Sequence, residues 1–360
     1  MTPLHIGIAG AGLAGRTLAW RLLRAGCRVS LFDARPRDAL DTASMTAAAM
    51  LSPLAELAVS DEAVFALGQR SMQLWPRWIA ELAEGGGAPV YFRQQGTLVV
   101  AHAPDQSSLE HFSRLLAHKL PDACRAQVHA LDAAGLAVHE PALAGRFGSG
   151  LFLDGEGQLA NDQWMAALAA EIDRLGGTWH ESQAVLRLEE GRIVCASCTH
   201  AVDVAVDARG VGSQADWPAG NPLRGVRGEV LRVECHGVEL RRPVRLMHPR
   251  YQLYVAPRPG GQFVVGATEL ESEDTGPVTL RSTLELGSAL YSLHPAFGEA
   301  RVLRLSAALR PALDDHRPAV VQQGGVWHIN GLYRHGYLCA PALVDRLAHK
   351  LLGTESEEAS

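Results

Sequence analysis

Residues 4–33 read LHIGIAGAGLAGRTLAWRLLRAGCRVSLFD, and their order of types is that of a βαβ unit. Leu4 to Ala9 is a short apolar run suited to a buried strand, Gly10 to Gly15 is a glycine loop, and Gly15 to Ala25 has helical spacing. Gly26 stops that helix, and Arg28 to Phe32 forms a second strand ending at Asp33. Gly10, Gly12 and Gly15 make a GxGxxG between strand and helix, the context in which each glycine has a physical task. The first permits the tight turn, the second lets backbone N–H groups approach a pyrophosphate, and the third lets helix and strand pack closely. Phosphates then face the positive end of the helix dipole. Asp33 is placed to accept hydrogen bonds from ribose hydroxyls, although Arg35 close by weakens the case against a 2′-phosphate. A dinucleotide site is expected.

Working outward, TASMTAAAMLSP at residues 42–53 follows where a nicotinamide enzyme would continue its parallel sheet. Ala47, Ala48 and Ala49 can bring backbone close to a flat, bulky ring, which favours a flavin over NAD. Further on, helical spacing covers Asp61 to Leu82, closed by glycines at 85–87. A strand is expected at Gly96 to His102 and helices at Asp105 to Lys119 and Asn161 to Leu175. Strands follow at Thr178 to Glu189, Arg192 to Ala196 and Ala201 to Asp207. Arg224 to Leu270 reads as successive strands with a turn at Pro257 to Gly261, and Thr279 to Leu293 as a helix. A last strand, Gly325 to Asn330, leads through a loop to a helix at Ala342 to Leu352, and the polar tail 354–360 is expected to be flexible.

The 360 residues are 47% hydrophobic and 20% charged, which suits a folded chain with a large core and excludes disorder. A net charge of -6, from 33 basic and 39 acidic residues, argues against a nucleic-acid groove. No apolar run reaches the roughly 18 residues of a spanning helix. A glycine fingerprint begins by residue 10, where a secretory leader would lie, and the scattered cysteines form no disulfide framework. A cytoplasmic location is the expectation. Cys195 and Cys198 form a CxxC with His200 two residues on, but no second ligand pair accompanies them, and a hairpin flanked by the two cysteines fits better. The fifteen histidines lack metal-site spacing, Trp75 and Trp78 suit a buried helix face, and Glu189-Glu190 and Arg241-Arg242 read as solvated turns.

GIAGAGLAG and TAAAML are joined by GVRGEVL at 225–231, LYVAPRPGG at 253–261, VVGATEL at 264–270, LRPALDDHRP at 309–318 and GLYRHGYLCAP at 331–341. With these segments in order, the chain resembles the D-amino-acid oxidase superfamily of flavoproteins, and within it most closely the glycine oxidase group of thiamine biosynthesis. The resemblance implies an α/β fold: a Rossmann-type FAD-binding domain assembled from residues 1–85, 151–222 and 309–353, with a β-rich α+β substrate domain from 86–150 and 223–308. It implies noncovalent FAD contacts at Leu13, Ala14, Asp33, Ala34, Ala47 to Ala49, Val185 and the loop Leu332, Tyr333, Arg334, His335, Gly336, Tyr337 and Leu338, beside Gly10, Gly12 and Gly15 of the fingerprint. Arg310 and Arg334 match residues that bind a substrate carboxylate, and Tyr254 an active-site tyrosine.

Arg310 precedes a proline, with Asp314 and Asp315 close behind, so irregular backbone is expected around it. An arginine there can present a two-pronged donor to a carboxylate. The competing structural reading is an internal ion pair with one of those aspartates. His335 is the nearest candidate for a base. It stands where the family usually has asparagine, Leu332 where it has histidine, and Ala49 where it has glycine. The activity implied is oxidation of a small amino acid or amine (glycine, sarcosine or a D-amino acid) to an imine by hydride transfer to flavin N5, then hydrolysis to an oxo acid. Oxygen would reoxidise the flavin and yield hydrogen peroxide. The alternatives are a D-amino-acid dehydrogenase passing electrons to a quinone, an NAD-linked dehydrogenase, and a nucleotide-binding Rossmann protein without turnover. By analogy the chain is expected to form a homo-oligomer.

Overall fold

A computed structural model of the chain describes residues 3–218, 220–248 and 252–354. Residues 355–360, most of the expected flexible tail, lie outside the described residues.

The glycine-loop unit forms as the sequence implies. Strand His5–Ala9, helix Leu13–Arg24 and strand Arg28–Phe32 succeed one another. The strands pair in parallel with Ile6 opposite Val29 and Ile8 opposite Leu31. These strands lie at the centre of a six-stranded sheet, ordered Ala319–Gln323, Val326–Asn330, Val204–Asp207, His5–Ala9, Arg28–Phe32, Thr178–His180. All neighbours in it are parallel except Ala319–Gln323, which runs antiparallel to Val326–Asn330. Its central strands are buried on both faces, so they read as continuous apolar runs instead of alternating ones.

Helices Leu13–Arg24, Glu62–Glu84, Asn161–Arg174 and Gly336–Leu352 share one core against this sheet. Trp20, Trp75, Trp78 and Trp164 are fully buried there. Edge-to-face contacts join Trp75 to Trp164 at 4.8 Å, and Trp20 to Trp78 at 5.8 Å and to Trp164 at 6.0 Å. Asp61 caps the long helix by accepting from Ala63 N at 2.8 Å.

The second sheet has eight strands, in the order Arg301–Leu313, Leu223–Glu234, Gln262–Gly266, Gln252–Arg258, Val244–Met247, Thr97–Ala101, Ser149–Leu153, Val128–Asp132. One face packs on helix Leu280–Leu293, whose cap Thr279 accepts from Ser282 N at 3.2 Å. On the other face Val230, Tyr254, Ala256 and Val264 meet Ala48 and Met50, so this sheet lies over the alanine loop. The boundaries expected at residues 150 and 308 each fall inside a strand of this sheet.

Several expectations are corrected. Arg310 lies not in irregular backbone but inside strand Arg301–Leu313, paired opposite Val226. Pro311 is tolerated because this is an edge strand, where a missing N–H need not interrupt the ladder. Thr178 to Glu189 is two strands, Thr178–His180 and Val185–Glu189, which join different sheets across Ser182, a non-glycine residue at φ 55°. The last helix begins at Gly336, not Ala342, so Leu332 to Leu338 is a single 3-10 turn, Tyr333–His335, running straight into helix. Pro341 cannot donate to the carbonyl of Tyr337, and the Trp75 indole donates to it instead at 3.1 Å. Arg242 is not solvated: it lies over the Phe152 ring, 3.9 Å from Glu140. Cys195 and Cys198 flank the turn of a hairpin, Cys195 N donating to Cys198 O at 2.9 Å.

The third fingerprint glycine is a packing position. A Cβ at Gly15 would stand 1.8 Å from the Gly10 carbonyl oxygen, which is backbone and has little freedom to retreat. Gly15→Ala is expected to lower stability by about 3 kcal/mol, read as a drop in denaturation midpoint with unchanged slope. An unaltered midpoint would contradict the close approach of helix and strand.

Candidate active site

The two sheets enclose a cavity of about 1040 Å³, above the usual range for a drug-sized ligand and suited to a dinucleotide plus a small substrate. At one end it is bounded by the carboxyl ends of the central parallel strands: Gly10 after His5–Ala9, Asp33 after Arg28–Phe32, and Ala208 to Gly212 after Val204–Asp207. This is where ligands bind in open parallel sheets.

Gly10 has φ 98°, a left-handed turn that carries the chain off the strand. A Cβ there would also stand 2.4 Å from the Ala208 carbonyl oxygen. Gly12 differs: it lines the cavity, and nothing lies within 4 Å of where its Cβ would be. The helix it starts has no side-chain cap, so its first-turn N–H groups face the cavity edge without a side-chain acceptor. Asp33 accepts from Ala11 N at 2.7 Å and Arg35 N at 2.9 Å, which fixes its carboxylate at the cavity wall.

The alanine loop is held from outside. Asn161, fully buried, donates through Nδ2 to the carbonyls of Ser44 and Met45, both at 2.9 Å. The Tyr337 hydroxyl donates to Ser44 O at 3.0 Å, and Arg258 reaches from the larger sheet to the Ala48 carbonyl and to Gln158 Oε1 at 2.6 Å. Burial lowers the Arg258 guanidinium to about 10, so it remains a cation at neutral pH. With the loop's carbonyls occupied, Ala47 to Ala49 present small side chains and backbone to the cavity. Ala49 has φ 49°, a conformation in which glycine is the usual occupant.

Opposite the loop stand the candidate substrate groups. Arg310 donates through Nη1 to Thr268 O at 2.9 Å, and among the described residues it makes no ion pair. The expected alternative partner Asp314 faces Arg224 instead, at 3.3 Å. Gly228 makes room for Arg310, since a Cβ there would lie 2.2 Å from the guanidinium carbon. Tyr254 sits over Gly266, where a Cβ would be 2.7 Å from the tyrosine hydroxyl, and burial raises that hydroxyl's pKa.

Arg334 lies between two carboxylates, Glu56 at 3.4 Å and Glu269 at 3.2 Å. Glu56 also receives Arg245 Nη2 at 2.8 Å and faces His335 Nδ1 at 3.3 Å. Burial by itself would raise the Glu56 carboxyl, but Arg245, His335 and Arg334 overrule it and hold the group well below 4.5. Glu56 contributes stability that is fully present above its unfolded value near 4.5 and lost as pH falls through its lower folded value. Glu56→Gln is expected to cost about 3 kcal/mol at pH 7, by leaving Arg245 and Arg334 short of a counter-charge, and to flatten the acid limb of the stability profile. An unchanged acid limb would remove Glu56 as its source.

All the residues proposed from sequence line the cavity except Gly15, whose role is packing. Leu332 and Leu338 contribute apolar wall. His335 also contributes to that wall, yet it is only 2% exposed, with Nδ1 turned to Glu56. Sequence reasoning did not single out Asn161, Arg258, Glu56, Arg245 or Glu269. They carry no shared motif and are scattered from residue 56 to residue 269, so only the fold brings them together. Glu269 lies within VVGATEL, and a charge in that apolar segment was the one available signal.

The sequence profile of a family described as FAD dependent oxidoreductase (DAO) matches residues 5–350. The chain belongs to this family of FAD-dependent oxidoreductases. Among its relatives, the putative thiamine biosynthesis oxidoreductase ThiO of Rhizobium etli is 40% identical, over 98% of this chain and 98% of the relative. The glycine oxidase of Bacillus licheniformis is 26% identical, covering 96% of this chain and 92% of that one. The crystal structure of glycine oxidase from Geobacillus kaustophilus has the same fold, with a TM-score of 0.85 at 22% identity over 98% of this chain and 95% of that one. As a DAO-family member of the glycine oxidase type the chain is an FAD enzyme, and the open space at Gly12, the uncapped helix and the clamped alanine loop fit that cofactor. Among the described residues no helix is long and apolar enough to cross a membrane.

Proposed function

We propose that this enzyme oxidises a small amino acid or amine carrying one carboxylate, with glycine and sarcosine as the leading substrates, in the supply of precursors for thiamine synthesis. The observation that carries this reading is Arg310: a guanidinium in the cavity wall, oriented by Thr268 O and without an ion-pair partner among the described residues. Such a group accepts a carboxylate through two parallel hydrogen bonds, fixing orientation as well as affinity. When bound, FAD would supply the two-electron oxidant for the Cα–H bond, with oxygen as the expected final acceptor.

The chain's own work is positioning. Arg310 holds the carboxylate, with Arg334 beside it, and Tyr254 closes the adjoining wall. Ala47 to Ala49, in a loop held by Asn161, Tyr337 and Arg258, would present backbone to the flavin ring. His335 is the candidate to relay a substrate ammonium proton, through its contact with Glu56. The imine then leaves for hydrolysis to an oxo acid and ammonia or an amine.

The test is a panel of glycine, sarcosine, D-amino acids and L-amino acids, scored by flavin bleaching without oxygen and by peroxide with it. Bleaching by glycine or sarcosine with stoichiometric peroxide is expected. Bleaching without peroxide would make the enzyme a dehydrogenase that needs another acceptor, such as a quinone. No bleaching by any of them would overturn the reading.

A further inference from the structure

The segment that follows strand Gln262–Gly266 addresses both arginines of the substrate wall with consecutive residues. The carbonyl of Thr268 accepts from Arg310 at 2.9 Å, and the carboxylate of the next residue, Glu269, pairs with Arg334 at 3.2 Å and accepts from the Tyr333 hydroxyl at 2.6 Å. The segment cannot drift, because Leu270 and Arg227 exchange backbone hydrogen bonds, both at 2.9 Å, and Thr268 N donates to Glu229 O at 3.2 Å. Burial would raise the Glu269 carboxyl, but Tyr333, Arg334 and Arg310 together lower it. It is therefore an anion at neutral pH, within the electrostatic reach of both guanidinium groups.

A charge tally over this wall then has a chemical meaning. Arg245, Arg310 and Arg334 supply three positive charges, and Glu56 and Glu269 supply two negative ones. Burial raises the carboxyl of nearby Glu156 against the pull of Arg245. Of the three cations, Arg310 has no carboxylate partner among the described residues, which leaves it to a substrate carboxylate.

We propose that Glu269 limits this site to amines with a single carboxylate, by standing on Arg334 where a second substrate carboxylate would otherwise bind. The proposal rests on the function assigned above. A dicarboxylic amine such as iminodiacetate or D-aspartate would bring its second carboxylate against Glu269, and like charges held together in a partly buried site repel. Glu269→Gln keeps the shape and an acceptor for the Tyr333 hydroxyl but leaves Arg334 with Glu56, which Arg245 also engages, as its remaining carboxylate. The face of the guanidinium that Glu269 held is then open to the second carboxylate.

The experiment compares wild type, Glu269→Gln, Glu269→Asp and the double variant Glu269→Gln with Arg334→Gln, all as holoenzyme. Substrates are glycine, sarcosine, iminodiacetate and D-aspartate. Non-oxidisable probes, acetate and malonate, are titrated by calorimetry. In Glu269→Gln the ratio of kcat/KM for iminodiacetate to that for sarcosine should rise by about tenfold or more, through KM, and malonate should gain on acetate by a similar factor. Glu269→Asp should keep the wild-type ratios, and the double variant should lose the gain. A merely structural role would lower activity on every substrate alike and leave both ratios unchanged, which would overturn the proposal. So would a gain that survives loss of Arg334. If wild type oxidises none of the monocarboxylic amines, the assigned function fails first. If it oxidises them and the ratios do not move, only the role of Glu269 fails.

Discussion

Replacing Arg310 by leucine should raise KM for small amino acids by roughly thirty- to several-thousand-fold, the equivalent of about 2–5 kcal/mol for a buried charge pair that has lost one member. Flavin content should not change. The guanidinium touches Thr268 O and faces the open cavity, and it makes none of the contacts that hold the alanine loop or the glycine turn. Because Arg310 sits on an edge strand in the space left by Gly228, leucine fits the site without crowding. The loss should therefore appear in steady-state kinetics and in the substrate concentration that half-bleaches the flavin, with the absorption spectrum of the resting enzyme intact. Kinetics like those of wild type would show that the substrate carboxylate binds elsewhere, with Arg334 the first place to look.

A second large effect separates cofactor loss from unfolding. Gly12→Val should yield a folded protein whose flavin content falls below about a tenth of wild type, because a side chain at this position would occupy the path of the pyrophosphate. The backbone at Gly12, φ -77° and ψ -161°, is open to any residue, and no protein atom lies within 4 Å of the new Cβ. The polypeptide should thus tolerate valine while the cofactor does not. Far-ultraviolet circular dichroism of the purified variant should match that of wild type stripped of flavin, with the visible absorption nearly gone. A yellow Gly12→Val preparation with full occupancy would remove the glycine loop from the cofactor's path. The contrast with Gly15→Ala, where the new Cβ meets backbone, tests two glycines of one motif for two different physical roles.

What could be read in advance divides along a physical line. The glycine unit, the long helix from Asp61 and the paired tryptophans were legible because local spacing specifies them, whatever lies elsewhere in the chain. Arg310 was expected in irregular backbone and lies in a strand lining the cavity. Its proline suggests irregularity, and only the sheet order, which makes Arg301–Leu313 an edge, shows why a strand accepts it. The early start of the last helix was illegible for a similar reason. Pro341 argues for a boundary, and the indole that relieves the proline lies far away in sequence, at Trp75. The charge balance of the substrate wall was the least accessible part. Arg334 looks like a free cation in its own segment, and its two counter-charges, Glu56 and Glu269, come from distant segments earlier in the chain.

Arg258 grows from the eight-stranded sheet and ends on a carbonyl of the loop that follows the first βαβ unit. If this loop seats the cofactor, as proposed, the seat is joint property of both halves of the molecule. Removing FAD should loosen the register between the halves as well as the binding loop, and restoring it should raise a single shared melting transition in proportion to the logarithm of free FAD. Heat resistance then becomes a direct gauge of cofactor supply.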